Sequence, residues 1–227
     1  MIIENADRSF HSGKSHGKFH LEMHVGDKYE IIRKFVSGKN ILDIGCTGGD
    51  PEAYSDELWI HGYIKRHAKS VKGLDLNRNE VERLNGLGYD IVYGNAENFN
   101  LNRTFDVVFS GDLIEHLFNP GLFLKSARLH MGPESRLILV TPNPYRYGRI
   151  KDMVLRGYVR SHADHTCWFD PVTLSQLLDF HHFGAETVYW TGYSKRMIRY
   201  LGASVLDKLS FKGMLAEDFI IVAKMNR

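Results

Sequence analysis

The sequence predicts an α/β fold built on a helix-flanked, mostly parallel sheet. Three observations carry that expectation. Short apolar runs recur along the chain and alternate with stretches of helical periodicity, the order that builds a parallel sheet. Two of the runs, Asn40-Ile41-Leu42-Asp43-Ile44 and Val71-Lys72-Gly73-Leu74-Asp75, carry an acid at or next to their ends. The first run opens into a glycine-rich turn, Gly45-Cys46-Thr47-Gly48-Gly49, at the carboxyl edge of the sheet, where ligands of open α/β sheets bind.

Taken in order, residues 1–26 are polar, rich in His, Gly and Ser, and read as an irregular N-terminal arm. His16, His20 and His24 are spaced to share one helix face and could hold a metal. Gly13, Gly17 and Gly26 disfavour that helix, so a solvated or lid-like arm is the stronger reading. Asp27 caps a first helix whose apolar face is Tyr29, Ile32, Phe35 and Val36, and Ser37-Gly38-Lys39 ends it. After the strand at 40–44 and its turn, a loosely patterned helical stretch over 51–70 enters through Pro51, which suits a first helical turn. The second strand is 71–75. Asn77 caps a helix that Gly86-Leu87-Gly88 breaks, and Asp90 to Tyr93 is the third strand. Phe105 to Phe109 is the fourth, nearly all apolar as a strand covered on both faces should be. Asn119-Pro120 opens the next helix, and Arg136 to Val140 is the fifth strand. Residues 141–169 form a long connection dense in Pro, Arg, Tyr and His, and long ordered connections are usually functional. Asp170-Pro171 restarts a helix to His182, and Glu186–Thr191 and Asp218–Lys224 make the last two strands, seven in all. Between them lies an amphipathic, basic stretch over 193–212, which could be a lid over the acceptor, a dimer surface or a helix resting on anionic lipid, the lid being the preferred reading.

Composition bounds the function. With 43% hydrophobic and 25% charged residues in 227, the chain reads as one domain with a real core. A formal net charge of +2 does not announce a nucleic-acid binder. Two cysteines, no signal-like leader and no apolar run long enough to span a bilayer make a cytoplasmic protein the expectation.

The turn selects its ligand. A dinucleotide turn needs Gly-x-Gly-x-x-Gly so that a pyrophosphate can sit on the helix N-terminus. Here the spacing is Gly45-x-x-Gly48-Gly49, and Asp43 precedes the first glycine, where it repels a pyrophosphate and suits a cation. Asp75 is placed to take a ribose diol. A cationic nucleoside without phosphate fits, and S-adenosylmethionine is one.

At these residues the chain resembles the class I, Rossmann-like S-adenosylmethionine-dependent methyltransferases. Asp43-Ile44-Gly45-Cys46-Thr47-Gly48-Gly49 is similar to their first motif, with Thr47 where a glycine is usual. Asp75, with Leu76 beside it, matches the ribose-binding acid, and Asn95-Ala96-Glu97 resembles the loop that packs on adenine, with Asn95 where Asp is common. Phe105 to Val108 with Ser110 to His116 resembles the fourth-strand motif, Gly132 to Pro144 the segment through strand five, and Gly184-Ala185 the last corner. The resemblance covers residues 27–225. It implies a single doubly wound, mostly parallel seven-stranded sheet with the last strand antiparallel. It also implies a cofactor site drawn from Asp43, Gly45, Cys46, Gly48, Asp75, Leu76, Asn95, Ala96, Glu97, Ser110 and Asp112.

Methyl transfer to oxygen needs a base or a metal, because a hydroxyl is a poor nucleophile. On a helical turn, Asp112, Glu115 and His116 would face one side, and His165 from His162-Ala163-Asp164-His165 could join them. Asp112, Glu115, His116 and His165 are thus candidate ligands of a divalent metal, and Glu115, His116 and His165 candidate catalytic groups. The acid-x-x-Glu-His run is similar to that of the ubiquinone-pathway O-methyltransferases. The small-RNA 3′-terminal 2′-O-methyltransferases resemble both it and the later histidine region. The basic and aromatic side chains at 145–160 suit a phosphorylated or nucleotide-linked acceptor, or an RNA end. A small-molecule O-methyltransferase leads; an RNA 2′-O-methyltransferase and a non-catalytic cofactor-binding assembly partner are the alternatives. A homodimer through the 193–212 stretch is a further expectation.

Overall fold

The computed structural model describes residues 22–48, 59–193, 202–209 and 211–226. In chain order the elements are β1 (Glu22–Val25), α1 (Lys28–Val36), β2 (Asn40–Ile44), α2 (Ile60–His67), β3 (Ser70–Asp75), α3 (Arg78–Gly86), β4 (Ile91–Tyr93) and β5 (Phe105–Gly111). There follow a 3-10 turn (Ile114–His116), α4 (Pro120–Arg128), β6 (Met131–Pro142), α5 (Tyr147–Arg156), α6 (Pro171–Phe180), β7 (Phe183–Thr191), α7 (Ala203–Lys208), α8 (Lys212–Leu215) and β8 (Asp218–Met225).

The strands form one sheet in the order β1-β7-β8-β6-β5-β2-β3-β4. Every pairing is parallel except those of β8 with β6 and with β7, so the last strand alone runs backwards. The chain starts its winding at β2, moves outward through β3 and β4, and returns to the other side of β2 as β5. That reversal opens a crevice at the carboxyl ends of β2 and β5, the place where such sheets bind ligands.

Alternation along the central strands sends side chains to two cores. Ile41, Val107, Phe109, Ile138 and Val140 pack under α1 and α2 with Ile32, Val36 and Ile64. Leu42, Ile44, Val108, Leu137 and Leu139 face the other way, onto Phe123 and Leu124 of α4 and Leu174 and Leu178 of α6. The caps foreseen in the sequence are made. Asp27 accepts from Tyr29 and Glu30 N–H, Asn77 from Glu80 and Asn119 from Leu122. Asp170 and Thr173 close a reciprocal capping box.

The structure corrects the sequence in four places. Among the described residues the sheet has eight strands rather than seven, because Glu22–Val25, taken as irregular arm, pairs in parallel with β7. The connection 141–169 contains the helix α5. The helical stretch over 51–70 is helical over Ile60–His67 among the described residues; Pro51 lies outside them. Asp112 does not belong to a helical turn: its φ is +49°, and the turn begins two residues later. His16 and His20 lie outside the described residues, and His24 stands in β1. No described helix is long and apolar enough to cross a membrane.

Candidate active site

A cavity of about 870 Å³ lies at the carboxyl edge of β2, β3, β5 and β6. It runs into a second of about 290 Å³, sharing with it Gly45, Asp75, Leu76, Leu113 and His116. Asp43, Gly45, Cys46, Gly48, Asp75, Leu76 and Asp112 line the larger space, and Asn95, Ala96 and Glu97 the smaller. Ser110 does not join them. It is buried, and its hydroxyl donates to the Ile44 carbonyl at 3.1 Å, tying β5 to β2.

The glycine turn is shaped for a close approach. Gly45 and Gly48 have φ of +78° and +64°, the left-handed region that costs a side chain most. A Cβ on Gly45 would come within 3.0 Å of Leu113 Cδ1, whereas one on Gly48 would meet nothing within 4 Å among the described residues. Asp75 is fixed by backbone donors: Thr47 N–H reaches one carboxylate oxygen and Asn77 N–H the other, each at 2.9 Å. Thr47, in the usual glycine position, thus anchors the acid through its amide. The smaller cavity has apolar walls in Leu76, Ala96, Leu113, Leu117 and Phe118. Leu76 and Phe118 are 61% and 90% exposed, which leaves two apolar faces at its mouth. Asn95 and Glu97 hold the loop: Asn95 Oδ1 accepts from Glu97 N–H at 2.9 Å, and Glu97 Oε1 from Asn119 N–H at 2.7 Å.

At the other end of the cavity, Glu115, His116 and His165 bring one ligand atom each within 4.8 Å of one another. Glu115 is almost fully buried, and Oε2 accepts from Thr141 Oγ1 at 2.9 Å. Burial, with Asp112 and Asp218 adding like charge, pushes its carboxyl up to about 7. His116 Nδ1 lies 3.3 Å from the Asp164 carbonyl, so it donates there and leaves Nε2 as the acceptor. Burial and the nearby His116, His162 and Arg149 lower the pKa of His165, favouring a neutral imidazole. Glu115 Oε1 and His165 Nδ1 are both buried without a hydrogen-bond partner. His165 arrives from a distant segment because Thr166 latches onto the 3-10 turn. Its N–H donates to the Glu115 carbonyl at 2.9 Å and its Oγ1 to the Leu117 carbonyl at 2.7 Å.

Asp112 stands apart from this group. Its carboxylate pairs with Lys28 Nζ at 3.4 Å, and Lys28 also reaches Asp218 at 3.3 Å. These two acids raise the Lys28 pKa against the lowering effect of its burial, the largest single influence. Lys28, Tyr29, Trp59 and His61 line the cavity without having been read as site residues in the sequence, where Tyr29 was placed on the apolar face of the first helix; Asp218 and Thr141 support the site from behind. Lys28 and Asp218 are separated by 190 residues, a pairing with no linear signal. None of the described residues of 193–212 lines either cavity.

A glycine turn at the switch point, an acid clamped at the end of the next strand and an apolar slot beside it define a nucleoside-binding α/β domain. The chain belongs to the methyltransferase domain family, whose pattern it matches over residues 25–189, and it shares the Rossmann-like fold of solved S-adenosylmethionine-dependent methyltransferases. It is 31% identical over 137 residues to the mitochondrial ubiquinone biosynthesis O-methyltransferase of Schizosaccharomyces pombe, a match covering 56% of this chain and 46% of that one. It is 26% identical over 102 residues to the (S)-tetrahydroprotoberberine N-methyltransferase of Eschscholzia californica, covering 45% and 29%. The chain therefore spans less than half the length of these two relatives. Among solved structures, an S-adenosylmethionine-dependent methyltransferase from Archaeoglobus fulgidus superposes with a TM-score of 0.57 at 18% identity, over 86% of this chain and 94% of that one. At that identity the likeness is one of fold.

Proposed function

We propose that this chain methylates a hydroxyl of a small-molecule acceptor, with S-adenosylmethionine as donor. The observation that carries the oxygen reading is the Glu115–His116–His165 group, with two buried atoms left unpartnered beside the turn. An amine acceptor with a free lone pair needs no such group, whereas a hydroxyl must lose its proton.

The residues fit the donor. Asp75, held by two amides, keeps lone pairs for a ribose diol, and the slot between Leu76 and Phe118 has the apolar faces an adenine needs. Asp43, two residues before Gly45 and lining the same cavity, supplies negative charge for the amino end. When bound, S-adenosylmethionine supplies an electrophilic methyl on a sulfonium. Glu115, His116 and His165 would hold a divalent cation, through a carboxylate oxygen and two imidazole nitrogens, and that cation would ease deprotonation of an adjacent hydroxyl. Thr141 behind Glu115 and the Asp164 carbonyl behind His116 orient these ligands. Without a cation, neutral His165 is the group placed to take the proton.

Two measurements separate these roles. Manganese binding, followed by its paramagnetic signal, should be lost in Glu115→Ala while S-adenosylhomocysteine still binds. Undiminished manganese binding by the variant would remove the metal. Activity that then survives chelators but not His165→Ala would assign the imidazole as base.

A further inference from the structure

The start of α2 clasps the glycine turn from behind. Trp59 Nε1 donates to the Cys46 carbonyl at 3.1 Å, and His61 Nδ1 lies 2.8 Å from Asp43 Oδ2. The side chains of His61 and Asp43 are 0% and 3% exposed, and both residues line the larger cavity. Trp59 and Tyr89 pack the imidazole, with ring centroids 5.4 and 5.7 Å away. His61 Nε2 is buried and has no hydrogen-bond partner.

A histidine kept for the core uses both nitrogens, and this fold contains one. His130 Nδ1 donates to the Ser126 carbonyl at 2.7 Å while Nε2 accepts from Leu101 N–H at 2.8 Å. His61 spends only Nδ1, and spends it on an acid facing the cleft. A carboxylate accepts only, so Nδ1 carries the proton and donates. Fixing one oxygen of a buried carboxylate sets the plane of the group and the direction of the lone pairs that remain.

Resting on the cofactor reading above, we propose that His61 is a positioning residue for the amino-acid end of the donor. It holds Asp43 Oδ2 so that the carboxylate presents its remaining lone pairs to an ammonium. The ligand class read by the pair is an aminoacyl nucleoside thioether or sulfonium, as opposed to a nucleoside that lacks the amino acid.

The test compares S-adenosylhomocysteine with 5′-methylthioadenosine, which keeps the nucleoside and loses the amino acid, by calorimetry on the full chain. Asn at 61 can place its amide N–H where Nδ1 stands; Gln places its amide at the Nε2 position. His61→Gln should lose about tenfold or more in affinity for S-adenosylhomocysteine and nothing for methylthioadenosine. His61→Asn should stay within about threefold of the native chain for both. Equal losses of both ligands, a loss shared alike by the two variants, or no loss in either overturns the proposal. A native chain that binds neither ligand overturns the cofactor reading itself, and this one with it.

Discussion

Gly45 concentrates the demands of the site on one backbone. Its left-handed φ and the Leu113 methyl 3.0 Å from where a Cβ would stand oppose any side chain. Gly45→Ala should cost about 1–3 kcal/mol of stability and weaken S-adenosylhomocysteine binding at least tenfold, whereas Gly48→Ala, with no described neighbour within 4 Å, should carry only the backbone cost. Thermal melts and titrations of the pair check this. The glycines and Asp75 were legible because turn chemistry is local. Asp112 was misread for the same reason: its spacing to Glu115 suggests a shared helical face, but the chain passes it in a left-handed conformation and Lys28 takes the carboxylate. His130 sets a pH dependence at this scale. Burial lowers its pKa from 6.5, so the unfolded chain takes up the proton first. Its stabilising contribution is complete above pH 6.5 and is lost as pH falls below that value. His130→Asn, which keeps a donor for Ser126 and loses the acceptor for Leu101, should melt lower at pH 7.5 and lose less than the native chain on acidification. Parallel losses in both chains would reject this role.

Among the elements, the segment that carries His165 depends on Thr166. Thr166→Val removes the hydroxyl bonds to the Leu117 and Glu115 carbonyls and leaves the cofactor cleft untouched. It should reduce manganese affinity and turnover about tenfold, with S-adenosylhomocysteine binding unchanged and Thr166→Ser restoring both. Loss of cofactor binding as well would show a general collapse of the loop. Strands in the middle of the sheet were readable because two covered faces make them nearly all apolar, as in Phe105–Phe109, where Asp106 alone is exposed. β1 was not, because an edge strand is held by main-chain bonds, and its outer side is met by side chains from far along the chain. Val25 N–H donates to Asp207 at 3.0 Å and Lys212 Nζ to the Met23 carbonyl at 2.8 Å. The helix α5 carries apolar residues at helical spacing, Tyr147, Ile150, Met153 and Val154, but it is short, none of its residues is buried, and the dense Arg and Tyr around it made the segment read as a connection.

At the scale of the whole molecule, the reversal of winding between β2 and β5 decides where everything else must go. It places the turn after β2, the acid after β3 and the 3-10 turn after β5 around one crevice. β6 and the long connection behind it close the other end, through Pro142, His162, Asp164 and His165. The end of that crevice at Gly45 and Asp75 follows strand order, so the residues that line it stand at strand ends in the sequence. The end at Glu115 is assembled across the sheet: His165 was expected there from its histidine-rich segment and does meet Glu115, whereas Lys28 between Asp112 and Asp218 leaves no trace in linear spacing. The central claim, that the crevice is built for S-adenosylmethionine, rests on the turn and on Asp75. It is tested most directly by titrating S-adenosylhomocysteine into the native chain and into Asp75→Ala in a calorimeter. Saturable binding to one site in the native chain, weakened at least tenfold by the substitution, is the result expected. No saturable heat with the native chain, or equal affinity in both, would contradict it.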